Sequence, residues 1–244
     1  MKKIAVLGCF RSGTNFSKSI LESNFDCEVR NNLLGWKHGF LPIISNDSSV
    51  TYEVSYDAAY FVTKNPFSFL VSLHKYFVSA RLNIKAERDF GDFVKSRIII
   101  FDGSNPDSVQ LRFASPVELW NAMNWNYQSS KDLIHVRYEM LLKHPKATAS
   151  KLANKLGVSA KEQAFVVPKN EVKRMNDKQQ YTSLKDMETN KKFKSSTYLD
   201  NTYMDSFDAE LISFVMANLD AELVDSLGYT DMLNELLSHR SVIG

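Results

Sequence analysis

The sequence predicts an α/β fold of three layers, in which a central parallel sheet is flanked by helices. An apolar run from Lys3 to Gly8 is typical of a buried parallel strand. A glycine-bearing turn over residues 11–14 leads into a helical pattern at residues 15–25, and strand, turn and helix in this order open α/β domains. With 244 residues, 44% of them apolar, and no internal repeat or low-complexity linker, the chain fits a single domain over residues 1–244.

The first two helices are predicted from apolar spacing and from a start signal. The helix over residues 15–25 carries its apolar side chains at helical spacing. A second strand at residues 60–63 runs into Asn65-Pro66, where the proline stops the strand and can begin a helix. Apolar positions cover most of the circumference over residues 67–82, so we expect this aromatic-rich helix to be well buried.

The remaining elements are predicted from the same signals. Residues 168–203 show little periodicity and many polar side chains, so they predict no regular element. The segments that do are a strand or helix end at residues 97–101 followed by a loop at 102–106, a helix from Pro116, a buried strand at 133–137, a helix from Pro145 to Gly157, and final helices at 207–219 and 222–227 that Gly228 closes.

Composition excludes several classes of protein. Thirty basic and 28 acidic residues leave a net charge of +2, too weak for a domain that binds nucleic acid. Cys9 and Cys27 cannot build a disulfide framework, so we expect a reducing, cytoplasmic compartment. No apolar run approaches the ~20 residues of a membrane helix, and we expect no membrane partner. The first residues imitate a signal peptide, but Arg11 ends the apolar run before an export core is complete.

Residues 8–15, Gly-Cys-Phe-Arg-Ser-Gly-Thr-Asn, have the glycine spacing of a phosphate-binding loop. Backbone N–H groups at the start of a helix point at an anion there, and the helix dipole adds to the attraction. A nucleotide triphosphatase would follow the second glycine with Lys and Ser or Thr, whereas Thr14 and Asn15 follow it here and the cation is Arg11. The loop can cradle a phosphate, and the alternative is a glycine turn without a ligand.

Two further segments carry residues suited to chemistry. Lys64 follows a strand, where α/β sheets place ligands, and Ser72 lies eight residues later; the alternative is a surface charge and a small packing residue. His38, after Trp36 and Lys37, is expected on an exposed turn, where its near-neutral pKa suits a general base, although a lone histidine is more often structural. The other histidines and the cysteines lack metal-ligand spacing, so we expect no metal.

In chain order, these segments resemble the sulfotransferases that use 3′-phosphoadenylyl sulfate (PAPS) as donor. That family's loop for the 5′-phosphosulfate reads Lys/Arg-Ser-Gly-Thr, a small polar and an aromatic residue, and residues 11–16 match it. Its 3′-phosphate element reads Arg-Asn-Pro with a serine eight positions after the arginine, and residues 64–72 match it with lysine first. Residues 136–158 look like the family's strand-and-helix element starting Tyr-Glu, and residues 223–229 are similar to its closing helix.

The resemblance implies a P-loop-NTPase-like sulfotransferase fold and a role for each matching residue. Arg11 would stabilise charge on the departing phosphate oxygen. His38 aligns with the family's histidine base, and Lys37, directly before it, is counted with the catalytic residues. Lys64 and Ser72 would hold the 3′-phosphate. The remaining residues implied to bind the donor are Ser12, Gly13, Thr14 and Asn15 around the 5′-phosphate, Phe16 near the adenine, and Tyr138 at the adenosine.

The chain also departs from the family pattern. Lysine at position 64 lacks the bidentate fork of the family's arginine, which lowers the expected donor affinity. The late Arg-Lys-Gly phosphate motif of cytosolic members is absent, and its nearest substitute is the basic run at residues 191–194, so Lys192 and Lys194 are candidate donor ligands. A lysine run is more often a solvated face. Residues 169–194 hold eight basic and four acidic side chains, placed to meet a polyanionic donor.

The function predicted from the sequence is transfer of a sulfuryl group from PAPS to a hydroxyl or amine, giving the 3′,5′-bisphosphate PAP. A small-molecule or carbohydrate acceptor is expected, held by loops around residues 40–56 and 86–115. The donor chemistry requires no metal. The alternatives are a P-loop kinase or NTPase that has lost its standard lysine, and a non-catalytic nucleotide-binding module.

Overall fold

The computed structural model describes residues 1–34, 36–41, 56–79, 89–101, 110–174, 186–192 and 196–241. Eight strands lie in these ranges: β1 (Lys2–Gly8), β2 (Cys27–Arg30), β3 (Ala58–Thr63), β4 (Ile98–Phe101), β5 (Gln110–Phe113), β6 (Leu133–Arg137), β7 (Asn170–Arg174) and β8 (Asp186–Lys192). The helices there are α1 (Thr14–Asn24), α2 (Pro66–Ser79), α3 (Phe90–Lys95), α4 (Pro116–Gln128), α5 (Tyr138–Lys143), α6 (Pro145–Leu156), α7 (Ser196–Leu199), α8 (Ala209–Asn218), α9 (Ala221–Ser226) and α10 (Thr230–Ser241), with a 3-10 turn at Thr202–Ser206.

A four-stranded parallel sheet with strand order β2-β1-β3-β6 forms the centre of the fold. The inner strand β1 is buried on both of its faces, with Ile4, Ala5, Val6 and Leu7 each at most 1% exposed. Continuous burial of this kind is what an apolar run without alternation indicates in a parallel sheet. The predicted α/β architecture, a central parallel sheet flanked by helices, is confirmed.

Side chains that alternate along β3 divide the core between the two faces of the sheet. Phe61 packs with Trp120 and Tyr229 in one apolar cluster. Its neighbour Tyr60 packs with Phe16 and other apolar side chains in a second cluster. Because successive strand residues point to opposite faces, one short strand anchors both helical layers. Both cysteines belong to this interior, with Cys9 1% and Cys27 2% exposed.

Helix ends follow the residues that favour them. Ser115 precedes α4, where its Oγ accepts the Glu118 N–H at 3.2 Å, and Pro116 is the first helical residue. Helix α6 begins at Pro145 and ends at Gly157, whose φ of 65° is the left-handed cap that glycine adopts without a Cβ penalty. These two predicted helices are confirmed, as are those that begin near residues 15 and 66.

Several expectations need correction. The strand β6 is an edge strand in which only Val136 is buried, not the buried strand that was predicted. Of the two alternatives at residues 97–101, the strand is confirmed over Ile98–Phe101, where it pairs antiparallel with β5 outside the main sheet. The segment 168–203 contains an antiparallel hairpin, β7 with β8. A further helix, α10, follows Gly228, so this glycine does not close the last helix. The predicted loop 102–106 lies outside the described residues. No helix in the described ranges is long and apolar enough to cross a membrane.

Candidate functional site

The carboxyl ends of β1, β3 and β6 meet at one edge of the sheet. Gly8, the last residue of β1, pairs with Val62, and Thr63, the last residue of β3, pairs with Arg137. The loop after Gly8, the turn after Thr63 and the start of α5 therefore lie side by side. This edge is where parallel α/β sheets hold ligands.

The loop between β1 and α1 is tight and has two residues in the left-handed region. Arg11 has φ of 61° and Gly13 has φ of 97°, and the Ser12 N–H donates to the Cys9 carbonyl at 3.1 Å. A Cβ on Gly8 would lie 2.5 Å from Ser12 Oγ and 2.7 Å from the Val62 carbonyl oxygen. Glycine is therefore required where the loop leaves the sheet.

Ser12 carries an orphaned polar group at the centre of this loop. The residue is fully buried, and its Oγ has no hydrogen-bond partner among the described residues. It precedes Gly13, the cap residue of α1, which makes no side-chain cap bond. A buried hydroxyl without a partner is costly, and the first N–H groups of a helix also lack partners within the helix. An anion bound in the loop could accept hydrogen bonds from the Ser12 hydroxyl and from the first N–H groups of α1.

Tyr138 covers the second glycine of the loop. A Cβ on Gly13 would come within 2.2 Å of the Tyr138 ring, so ring and backbone are in direct contact. Tyr138 is 5% exposed and meets Phe16 edge to face at 6.1 Å, and burial raises the pKa of its hydroxyl. Tyr138 thus lies against the loop between β1 and α1, and Phe16 lies in the core beneath it, 4% exposed.

Lys64 and Ser72, eight residues apart, meet directly. Lys64 Nζ donates to Ser72 Oγ at 2.8 Å and is 3.5 Å from the Arg11 carbonyl oxygen of the loop. The lysine is 2% exposed. Burial lowers the pKa of Lys64 well below its ordinary value, and the positive charges of Arg11 and Lys75 lower it further, whereas the negative charge of Glu139 raises it. A buried ammonium of this kind favours an anionic partner.

Two tyrosine rings lie over this ammonium. The centroid of Tyr198 is 3.7 Å from Lys64 Nζ and that of Tyr138 is 5.3 Å away, and the two rings meet edge to face at 5.5 Å. Tyr198 Oη is also 3.2 Å from Ser72 Oγ. Of the two rings, Tyr198 is the more exposed and belongs to the four-residue helix α7. The Tyr198 ring therefore covers the Lys64 ammonium.

Lys37 and His38 are fastened to the end of β1. The Gly8 N–H donates to the Lys37 carbonyl at 2.9 Å, and His38 Nδ1 is 2.7 Å from the Gly8 carbonyl. His38 stacks on Phe10 at 4.9 Å and meets Trp36 edge to face at 5.2 Å. The residue is half-buried rather than on an exposed turn, and burial, with the nearby charges of Lys37 and Arg11, lowers the pKa of His38 to about 3.

Asn15 and Thr14, the first two residues of α1, have different surroundings. Lys37 Nζ donates to Asn15 Oδ1 at 2.5 Å, which links the segment of the candidate base His38 to the start of α1. Thr14 is 3% exposed at the first position of the helix. Among the candidate donor ligands, Lys192 is the last residue of β8, and Lys194 lies outside the described residues.

The site also includes residues that the sequence did not single out. Glu139 accepts the Asn65 N–H at 2.8 Å, Tyr198 covers Lys64, and the Arg11 guanidinium lies 5.6 Å from the centroid of the Tyr76 ring. The Tyr-Glu pair at residues 138–139 was one available signal, because it directly follows a strand that ends at this edge. Among the described residues, no group of three His, Cys, Asp or Glu side chains could hold a metal ion.

Comparisons with known proteins add no assignment to this geometry. No family model matches the chain, and no curated protein matches it.

Proposed function

We propose that this protein is a sulfotransferase that uses PAPS as donor and a hydroxyl or amine compound, a sugar or another small molecule, as acceptor. The observation that carries the proposal is the pair Lys64–Ser72, buried beside the phosphate-binding loop with Lys64 Nζ 3.5 Å from the Arg11 carbonyl. The loop and the pair are two adjacent places for anions. A sulfuryl donor that carries phosphates at its 5′ and 3′ positions needs two such anion sites side by side.

The fit of the donor can be judged on the residues themselves. The partnerless Ser12 Oγ and the N-terminus of α1 suit the 5′-phosphate, and the buried Lys64 ammonium suits a second phosphate. A triphosphate bound with Mg²⁺ would instead require the lysine and serine or threonine that follow the second glycine in P-loop enzymes, and Thr14 and Asn15 stand there. The geometry therefore favours a bisphosphorylated nucleotide over ATP.

In sulfuryl transfer, the acceptor oxygen or nitrogen bonds to sulfur while the bond from sulfur to the 5′-phosphate oxygen breaks, and the acceptor loses a proton. The residues of this protein would stabilise the charge on the departing phosphate and receive the proton that the acceptor loses. The loop N–H groups and Arg11 stabilise the negative charge that returns to the phosphate oxygen, the term that usually contributes most to such catalysis. Arg11 is exposed beside this loop, with its guanidinium 5.6 Å from the centroid of the Tyr76 ring.

His38 is suited to receive the acceptor's proton. Its Nδ1 must carry hydrogen to bond the Gly8 carbonyl, which leaves the lone pair of Nε2 for the acceptor. With a pKa of about 3, the ring is neutral at physiological pH. Two of the causes of that low value are the charges of Lys37 and Arg11, and a bound polyanion would offset both, making His38 a stronger base when donor is present.

The test compares ligands before it looks for turnover. Isothermal titration with PAP, 5′-AMP, and ATP with Mg²⁺ should give the tightest binding to PAP, and Ser72→Ala should weaken PAP far more than 5′-AMP. Sulfur-labelled PAPS should then pass its label to a member of an acceptor panel of sugars, phenols and amines. Tighter binding of ATP with Mg²⁺ than of PAP would replace the proposal with a kinase or NTPase. Binding of PAP without transfer to any acceptor would indicate a non-catalytic nucleotide-binding module.

A further inference from the structure

A series of partly buried hydrogen bonds runs from β6 to the turn that carries Lys64. His135 Nε2 is 2.7 Å from Thr63 Oγ1, and Thr63 Oγ1 is 2.9 Å from Tyr229 Oη. Tyr229 Oη donates to Glu139 Oε2 at 3.1 Å. The other carboxylate oxygen, Oε1, accepts the Asn65 N–H at 2.8 Å, directly after Lys64. The series therefore ends on a carboxylate that grips the Lys64–Asn65 turn.

The donors in this series can be ordered by counting protons. Tyr229 has one hydroxyl proton and gives it to Glu139, so Thr63 must donate to the Tyr229 oxygen. Thr63 then has no proton left for the ring, so His135 must donate from Nε2, as the neutral tautomer with a proton there does. When Glu139 is ionised, every hydrogen-bond donor in this series therefore points toward its carboxylate.

Lys64 needs a negative charge that its own neighbours on the loop do not supply. Its ammonium is buried with a serine hydroxyl and two tyrosine rings, and the loop contributes the positive charge of Arg11. Glu139 is the carboxylate that acts on it. Burial raises the pKa of Glu139, and the hydrogen bonds from Asn65 and Tyr229 and the charge of Lys64 oppose that rise.

We propose that Glu139 is the positioning residue of the second anion site: it fixes the Lys64–Asn65 turn and supplies the negative charge that keeps Lys64 cationic before an anion arrives. In this role Glu139 does not itself contact the bound nucleotide. The inference rests on the proposed function, because it assigns a second anion, the 3′-phosphate, to Lys64.

Charge on Lys64 makes nucleotide binding dependent on pH. PAP binds to the ammonium form, so its affinity should fall as pH rises through the pKa of Lys64, whereas 5′-AMP, without a second phosphate, should show no such fall. Other groups act on the same pair and must be kept intact in the variants. The groups that face Lys64 are Arg11, Lys75, Tyr138 and Tyr198. The groups that face Glu139 are Tyr203 and Tyr229. Arg137 and Lys155 act on His135, at the other end of the hydrogen-bond series.

The experiment measures the dissociation constants of PAP and 5′-AMP from pH 6 to pH 10 in the wild type, Glu139→Gln and Glu139→Asp. Glutamine keeps an acceptor for the Asn65 N–H but loses the charge, so the pH at which PAP affinity begins to fall should drop by about one unit or more. Aspartate keeps the charge on a shorter side chain, so affinity should decrease by a similar factor at every pH while the fall stays at the wild-type pH.

Two control variants accompany these measurements. Lys64→Arg, whose charge does not titrate in this range, should abolish the fall and so identify the titrating group. Glu222→Gln, an exposed acid on α9, should leave the profile unchanged. If Glu139→Gln lowers PAP affinity by one factor at all pH values, Glu139 is merely structural and the inference is overturned. If the wild type binds PAP at no pH, it is the proposed function that fails. If Glu139→Gln does not fold, the wild type still tests the inference: a PAP affinity that follows that of 5′-AMP from pH 6 to pH 10, with no separate fall, would equally overturn it.

Discussion

At His38, one hydrogen bond decides which ring nitrogen is available for chemistry. The Gly8 carbonyl accepts a hydrogen bond from Nδ1 at 2.7 Å, and stacking on Phe10 holds the ring plane. This fixes the tautomer in the way that a carboxylate does in histidine bases. The fixed tautomer also makes the proposed role of His38 testable, since removal of the side chain should affect proton transfer and leave the loop proposed to hold PAPS in place.

His38→Ala should lower kcat by ~10²–10⁴-fold and change the dissociation constant of PAP little, because a positioned base contributes about that factor. The pKa of about 3 keeps the ring of the free protein neutral throughout, so the loss in kcat/KM should be the same at pH 6 and pH 8. Initial rates from low to saturating acceptor measure both quantities, with the exposed His144→Ala as the control. Full turnover in His38→Ala would remove the base assignment.

Gly13 and Gly157 offer a matched pair for the loop. Both have positive φ, but a Cβ at Gly13 would strike the Tyr138 ring at 2.2 Å, whereas one at Gly157 would meet only the end of the flexible Lys2 side chain. Gly157→Ala should cost about 1–2 kcal/mol of unfolding free energy from backbone strain. Gly13→Ala should cost clearly more and weaken PAP binding. Urea denaturation measures both, and equal losses would mean that the Tyr138 contact is soft.

Among the elements, α4 supports the site from behind. Trp120 Nε1 donates to the Lys64 carbonyl at 2.9 Å, Tyr127 Oη donates to the Gly39 carbonyl at 2.8 Å, and Asn126 Oδ1 accepts the Leu41 N–H at 2.7 Å. One helix thus holds both the Lys64 turn and the segment that follows His38. Its stability depends in part on the Ser115 cap at its start.

Ser115→Ala should lower the unfolding free energy by about 1 kcal/mol, because the Glu118 N–H loses its acceptor. The control is Ser129→Ala at the other end of the same helix, where the exposed hydroxyl only returns a bond to the Asn126 carbonyl, and the change there should stay within about 0.5 kcal/mol. Chemical denaturation measures the two variants. A larger effect at Ser129 would contradict the cap.

Elements with strong local signals could be predicted from the sequence, and weakly marked ones could not. The buried strand β1 and the proline-and-glycine-bounded α6 carry their own boundaries. Strand β2 has only four residues, and the hairpin of β7 and β8 reads NEVKR and DMETNKK, without apolar alternation. Helix α10 was missed because Gly228 caps α9 rather than ending the helical region.

The candidate site divides in the same way. Lys64 lies two residues before α2 and Ser72 lies within it. Their hydrogen bond therefore follows from the geometry of a single helix and its start. The contact of Tyr198 with Ser72 joins residues 126 positions apart, and that of Glu139 with Asn65 joins residues 74 apart. Contacts over such distances depend on tertiary packing, which no local pattern encodes.

The molecule as a whole should lose stability as pH falls from about 6.5. His38 and His135 have folded-state pKa values of about 3 and about 4, below the ordinary 6.5 of an unfolded chain. In that window the unfolded state binds more protons than the folded state, so the stabilisation present above pH 6.5 disappears as pH falls toward 4. Burial is the main cause of both shifts.

Urea denaturation at pH 7.5, 6.0 and 5.0 tests this. The free energy of unfolding should fall with each step, and the fall should be smaller in His135→Gln, which keeps an N–H donor for Thr63 but does not titrate. The exposed His144→Gln should show the wild-type dependence. A wild-type stability that is flat from pH 7.5 to 5.0 would mean that the two rings are accessible to protons in the folded state.

The hydroxyl of Tyr229 sets an order of events during synthesis. It reaches back 166 residues to Thr63 and 90 residues to Glu139. At ~5–20 residues per second, a ribosome that has just made Glu139 needs roughly 5–20 s more to deliver Tyr229. Through that interval the nascent polypeptide contains the loop between β1 and α1, Lys64 and Ser72, but Glu139 lacks the hydrogen bond from Tyr229. The site is therefore completed from the carboxyl-terminal end, when the turn at Gly228–Tyr229 docks.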